Sequence, residues 1–260
     1  MRITVLGSGT STGVPVIGCD CPVCRSDAPE NKRLRCSLYV EEAGTGLLID
    51  CSTDFRQQAL GNGIKRIDAV LFTHNHADHM NGIDDLRVFN YLQDGPIDLY
   101  GDVTVIETIR RRFDYCFDPP QTGGGVPLLN LRRIEPAKPF EINGVKILPI
   151  PIKHGVLDIL GFRIGRGFAY LTDCSEVPES SMPLLEGIEI LVVDGLRRRP
   201  HPTHFNLDQA LAFSARIGPK QTWFTHLADE LDHFATNSTL PPNAQLLCDG
   251  QVIELQDEER

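Results

Sequence analysis

Short apolar runs rich in β-branched residues recur along the chain, and each stops abruptly at a polar residue. Residues 69–73 (AVLFT) run into His74, 147–153 into His154, 168–172 (FAYLT) into Asp173, 188–193 into Asp194, and 223–225 into His226. Runs of this length and composition predict buried strands. Helical spacing falls between them, at 82–92, 103–112 and 207–217. The last of these is preceded by Asn206, with Gln209 three residues on, which is the spacing of a capping box. Strands in both halves with helices between them predict a layered α/β domain whose chemistry sits at strand ends.

The segment 118–125 (DPPQTGGG) interrupts this pattern and reads as a loop or flap. No internal repeat, low-complexity tract or Ser/Gly linker divides the chain, so residues 1–260 read as a single domain. That length is enough for a sizeable core.

Composition narrows the function. With 25 basic and 35 acidic side chains the formal net charge is −10, which argues against nucleic acid as the main partner, because binding many phosphates needs a basic surface. No apolar stretch approaches the ~18–20 residues of a membrane span. The apolar run at residues 3–6 is too short for a signal peptide, so a cytoplasmic protein that does not enter the membrane is expected. Eight cysteines in a long chain of this kind point to metal binding or free thiols rather than a disulfide framework.

The densest chemistry is His74-Asn75-His76-Ala77-Asp78-His79, three imidazoles and a carboxylate within six residues, directly after a predicted strand. Imidazole and carboxylate are ligands for zinc, manganese and iron, and a tight turn can divide such a cluster between two neighbouring ions. A full site needs more donors, and the strand-end residues His154, Asp173 and His226 supply them. Each alone has an ordinary structural explanation; their repeated placement after strands makes a shared site the better reading.

With this pattern the sequence resembles the metallo-β-lactamase fold superfamily along nearly its whole length. The resemblance implies a four-layered αββα sandwich and two divalent ions, Mn2+ or Zn2+. It also implies that His74, His76 and His154 hold one ion, that Asp78, His79 and His226 hold the other, and that Asp173 bridges them. Such a pair, about 3.5–4 Å apart, makes hydroxide available at neutral pH and stabilises charge on the attacked centre, so the reaction class implied is metal-assisted hydrolysis. The glycine-rich stretch from Leu6 to Pro15 (LGSGTSTGVP) matches neither a dinucleotide fingerprint nor a P-loop. It reads as a structural turn.

Cys19, Cys21 and Cys24 form a C-x-C-x-x-C cluster, most of a tetrahedral zinc site. Together with residues 33–37 (RLRCS) and 225–227 (THL), the cluster resembles the phosphodiesterases of phosphonate degradation, which open a phosphoribosyl cyclic phosphate. There a histidine three positions after the last catalytic ligand completes a structural zinc site. This chain has Asp229 at that position, with His233 as a second candidate. The same resemblance places His204 as the general acid that protonates the departing alkoxide, a task suited to imidazole. His201 is its close rival, and Asp78 joins the catalytic set as well as the ligand set. Arg197, Arg198 and Arg199 either recognise an anionic part of the substrate or form a solvated face.

The expected partner is therefore a small phosphodiester. Two other readings share the metal loop: a tRNA 3′-processing endonuclease resembling ribonuclease Z, which the acidic balance disfavours, and a non-hydrolytic accessory protein resembling the B protein of pyrroloquinoline quinone biosynthesis, where the metal loop tends to be incomplete. Thioester hydrolysis as in glyoxalase II fits the metals but not the cysteine cluster. A homodimer is expected by resemblance alone.

Overall fold

The computed structural model of the chain describes residues 1–118 and 125–256. Most of the Pro- and Gly-rich segment 118–125 lies outside them. The strands in chain order are β1 (Arg2–Gly7), β2 (Ser37–Glu42), β3 (Thr45–Ile49), β4 (Ala69–Leu71), β5 (Ile97–Gly101), β6 (Leu129–Arg133), β7 (Phe140–Ile142), β8 (Val145–His154), β9 (Leu157–Ile164), β10 (Phe168–Leu171), β11 (Ile190–Asp194), β12 (Gln221–Thr225), β13 (Ala244–Leu246) and β14 (Val252–Glu254). They form two seven-stranded mixed sheets, ordered β14-β1-β2-β3-β4-β5-β6 and β13-β12-β11-β10-β9-β8-β7.

Strict alternation along the strands builds the layers. Leu47 and Ile49 of β3, Phe168 and Tyr170 of β10, and Ile190 and Val192 of β11 face one another in a core between the sheets. Their chain neighbours point the other way: Leu48 and Val70 pack under helices on one side, Ala169, Leu191 and Val193 on the other. Strands buried on both faces need apolar residues at every position, which explains the unbroken runs in the sequence. The outer layers come from α1 (Pro22–Arg25), α2 (Phe55–Gly61), α3 (Ala77–Met80), α4 (Arg87–Gln93), α5 (Val103–Arg112), α6 (Leu207–Ile217) and α7 (His233–Asn237). Phe55, Phe89, Val105 and Ile109 cover the first sheet; Leu207, Ala210 and Phe213 cover the second. The αββα sandwich expected from the sequence is the observed architecture.

α5 and α6 have the predicted limits, and both sides of the capping box form: Gln209 N donates to the Asn206 side chain at 2.8 Å, and Asn206 N donates to Gln209 Oε1 at 3.0 Å. Residues 82–92 instead divide into a 3₁₀ turn (Ile83–Leu86) followed by α4. Gly82 sits so close to the preceding loop that a Cβ there would meet Ser52 O at 2.1 Å. The strand read at 69–73 stops at Leu71, because Thr73 N turns to a buried carboxylate, Asp50 Oδ1, at 2.8 Å rather than to a neighbouring strand. Among the described residues no helix is long and apolar enough to cross a membrane.

Candidate metal centre

The candidate residues collect at one edge of the two sheets. Asp50 follows β3, His74 lies just beyond β4, His154 ends β8, Asp173 lies just beyond β10, Asp194 ends β11 and His226 follows β12. At Asp50, Asp173 and His226 the backbone enters the left-handed region, with φ of 60°, 55° and 59°. Non-glycine residues adopt this conformation only where surrounding structure enforces it. In the His74–His79 loop, His76 is the N-cap of α3, and Asp78 and His79 fall within its single turn.

Two donor groups result. One nitrogen each from His74, His76 and His154 lie within 4.8 Å of one another. A second group under the same limit joins His79, Asp173 and His226 with the thiol of Cys36. Asp173 connects the two: its Oδ2 is 3.2 Å from His79 Nε2, its Oδ1 is 3.3 Å from His226 Nε2, and it also groups with His154 and His204. Asp78 Oδ2 approaches His79 Nε2 at 3.3 Å. The structure thus brings together every residue in the sequence-derived active-site set.

The chemistry of this donor set fits cations. His74 Nε2, His79 Nε2 and both ring nitrogens of His226 are buried without a hydrogen-bond partner, although carboxylate oxygens stand close to His79 and His226 Nε2. Buried polar atoms are ordinarily satisfied. Imidazole nitrogens without a hydrogen-bond partner, converging with carboxylates, are what a pair of divalent ions requires.

Outer partners fix the rings. His74 Nδ1 meets Thr73 Oγ1 at 2.9 Å, His79 Nδ1 meets Asp50 Oδ2 at 2.7 Å, and His154 Nδ1 meets the Thr203 carbonyl at 2.8 Å. Such partners select the tautomer and orientation of a ligating imidazole. Asp50 is absent from the sequence-derived set, although it too closes an apolar run, residues 45–49. Asp194, marked by the strand-end pattern but given no role, accepts from Cys174 N at 3.0 Å and meets His204 Nδ1 at 2.6 Å.

Electrostatics follow from burial and mutual charge. Burial alone would raise Asp173, but His226 and His79 outweigh it and hold this carboxyl well below its usual range. The same balance, set by His79, keeps Asp78 low. Burial pushes His74 well below ordinary histidine. Burial also lowers His204 and raises Asp194 well above a normal carboxyl. His204 stacks on His226 with centroids 4.7 Å apart and meets His154 edge-on at 4.7 Å. His201 is one step further out, half-buried, 5.0 Å from His204, with Thr203 N donating to its Nδ1 at 3.3 Å. A cleft of about 290 Å³ opens beside His74, walled by Asn75, Asp102, Thr104, Val156 and Leu157.

The cysteine cluster lies apart. Cys19, Cys21 and Cys24 place Sγ 3.3, 3.4 and 3.7 Å from Asp229 Oδ2. Backbone amides of Val16, Cys21 and Cys24 donate to the sulfurs of Cys24, Cys19 and Cys21. Burial pushes the Cys24 thiol up to about 12, so a cation is needed to hold it as thiolate at neutral pH. Three sulfurs and a carboxylate fit zinc. His233 is not part of this group: its Nε2 accepts from Asn237 at 3.0 Å. The chain turns this way because the buried guanidinium of Arg33 donates to the carbonyls of Ala228 and Leu231 at 2.9 and 2.6 Å. The three arginines serve the surface: Arg197 donates to the Arg199 and Pro200 carbonyls, Arg198 to Thr239 and Arg199 to Glu230.

Comparison with known proteins agrees with this architecture. A model of the beta-lactamase superfamily domain matches residues 45–227. A solved diphosphatase of the PhnP family is 42% identical, superposes with a TM-score of 0.91, and is matched over 98% of each chain. An octanoyltransferase of Porphyromonas gingivalis is 41% identical over 96% of this chain, which spans only 51% of that longer protein. Coenzyme PQQ synthesis protein B of Methylobacterium radiotolerans is 28% identical over 75% of this chain and 73% of its own. The chain belongs to the beta-lactamase superfamily and, within it, to the PhnP family.

Proposed function

We propose that the chain is a dinuclear metal phosphodiesterase acting on a small cyclic or activated phosphodiester, such as a phosphoribosyl 1,2-cyclic phosphate. The observation that carries this reading is the pair of donor groups joined through Asp173, with Nε2 of His74, His79 and His226 buried and without a hydrogen-bond partner. His74, His76 and His154 would hold one ion, Asp78, His79 and His226 the other, with Asp173 shared. Two such ions supply a nucleophilic water at neutral pH and neutralise charge on the phosphoryl oxygens.

The remaining work belongs to side chains. Nδ1 of His204 is committed to Asp194, which leaves Nε2 to meet the substrate. As the phosphorus–oxygen ester bond breaks, the leaving alkoxide takes its proton from His204 Nε2. Asp194 holds that ring and offsets the charge changes on it. The cleft beside His74 receives the part of the substrate that does not react, and its mixed walls, with Asn75, Asp102 and Thr104 among apolar residues, suit a hydroxylated group. Cys19, Cys21, Cys24 and Asp229 hold a structural Zn2+. Octanoyl transfer, named for the longer relative, concerns a protein of which about half lies outside the match.

A panel tests the reading: chain reconstituted with Mn2+ or Zn2+ is offered a ribosyl cyclic phosphate, 2′,3′-cyclic nucleotides, bis(p-nitrophenyl) phosphate, a precursor tRNA and a thioester. Cleavage of the small diesters above the rest is expected. Preference for tRNA or thioester, or no hydrolysis with fewer than two ions at the His/Asp centre, would overturn it.

A further inference from the structure

Five imidazoles of the centre are buried: His74, His79, His154, His204 and His226. Four are fixed from outside through Nδ1, by Thr73, Asp50, the Thr203 carbonyl and Asp194. His226 differs, since neither of its ring nitrogens has a hydrogen-bond partner. A ligating imidazole ordinarily has its second nitrogen held by an outer partner. Ring orientation at His226 therefore comes from stacking on His204, 4.7 Å between centroids, and from its main chain, which is itself in the left-handed region at φ 59° and persists there only under external support.

That support converges on the turn that follows. Leu227 N donates to the Ser8 carbonyl at 2.9 Å, Thr10 N donates to the Leu227 carbonyl at 3.1 Å, and Ala228 N donates to the Leu196 carbonyl at 2.9 Å. Arg33 grips the Ala228 and Leu231 carbonyls. Between those two, Asp229 turns its carboxylate onto Cys19, Cys21 and Cys24. Asp229 is three residues from His226, at most about 11 Å of extended chain. The segment carrying the cysteines has only a small apolar cluster of its own, Val14, Val23 and Cys24 with flanking Val16, Cys19 and Cys21. Asn31 ties the same region to Asp232 and His233, while the direct contacts to the Asp229 carboxylate are those of the cluster itself.

We propose that the Cys19–Cys21–Cys24–Asp229 cluster, once filled with a zinc ion, is the positioning device for His226, so that the His79–Asp173–His226 half of the centre binds its ion tightly only when the cluster is filled. The proposal rests on the dinuclear reading above. Filling the cluster fixes Asp229 and, through the turn, the backbone from which His226 projects. Linkage is reciprocal, so an ion at His226 raises the zinc affinity of the cluster by the same factor.

Mn2+ disfavours thiolate and reports on the His/Asp centre, whereas Zn2+ accepts the cluster. The full chain is stripped with chelator, refilled or not with one equivalent of Zn2+, and titrated with Mn2+; bound metal is read by elemental analysis and Mn2+ binding by electron paramagnetic resonance. With zinc, two Mn2+ bind. Without it, or in Asp229→Ala or Cys21→Ser, one binds as before and the second at least tenfold more weakly; Asp229→His, which restores a donor, restores the second. Equal second-ion affinity with and without zinc would overturn the coupling while leaving the dinuclear reading intact. Fewer than two Mn2+ on the zinc-loaded wild type would overturn both. The wild-type arm decides the matter if a variant fails to fold.

Discussion

Nδ1 of His204 lies 2.6 Å from Oδ2 of Asp194, and both side chains are almost fully buried beside the donor groups. The contact spans ten residues of sequence and joins the end of β11 to the loop before α6. It gives His204 a defined tautomer and distinguishes it from His201, whose Nδ1 meets, among the described residues, Thr203 two positions on.

If His204 protonates the leaving group, His204→Ala lowers kcat by about 10²–10⁴ on diesters with alkoxide leaving groups. The loss is much smaller with p-nitrophenolate, which needs no proton. Asp194→Asn shows the same selectivity, and the double variant is little worse than His204→Ala, as expected for two residues acting as one unit. Equal losses on both substrate types remove the general-acid role.

The outer partners make a separate prediction about metal affinity. Thr172 donates its single hydroxyl proton to Asp173 Oδ2 at 2.8 Å, so the Cys36 thiol, 3.4 Å away, is the donor to Thr172. Thr172→Val and Asp50→Asn each weaken metal binding by about 10–100-fold, measured by competition with a chromogenic chelator. Unchanged affinity in both would show that the ligands orient themselves.

Stability carries a pH signature at Asp249. Burial pushes this carboxyl up to about 6, against the donors Ser8 N, Ser8 Oγ and Leu34 N that oppose the rise. The folded state therefore binds a proton that the unfolded chain, at about 3.9, releases. Its stabilisation is complete below about pH 4 and is lost as pH rises through about 6, for a total of about 3 kcal/mol. Asp249→Asn removes this dependence: the wild type gains about 2 kcal/mol relative to the variant between pH 7.5 and 4.5 in urea unfolding, whatever the constant offset. A pH-independent difference contradicts the assignment.

The ligand loop and the strand-end donors were legible because local rules govern them: an apolar run, a turn, then a donor. The layers were legible for the same reason, since residues such as Leu48 and Leu191 can be apolar only if both faces of their strands are covered. Asp50 and Asp194 were not assigned, because each acts through a ring 29 or 10 residues away that only the fold brings near. Nor could spacing choose between Asp229 and His233. That choice is made by Arg33, some 195 residues earlier, which folds the turn so that Asp229 faces the thiols.

The central claim is that the two donor groups together form one phosphodiesterase centre. Cleavage of bis(p-nitrophenyl) phosphate by the zinc-loaded chain, titrated with Mn2+, measures it most directly in the wild type, His76→Ala and Asp78→Ala. Activity in the wild type should rise to a plateau at two Mn2+ per chain and fall by at least about 10³-fold in each variant, as expected when one member of a two-metal clamp is lost. Cleavage that persists in the metal-free chain, or survives in either variant, would contradict the claim.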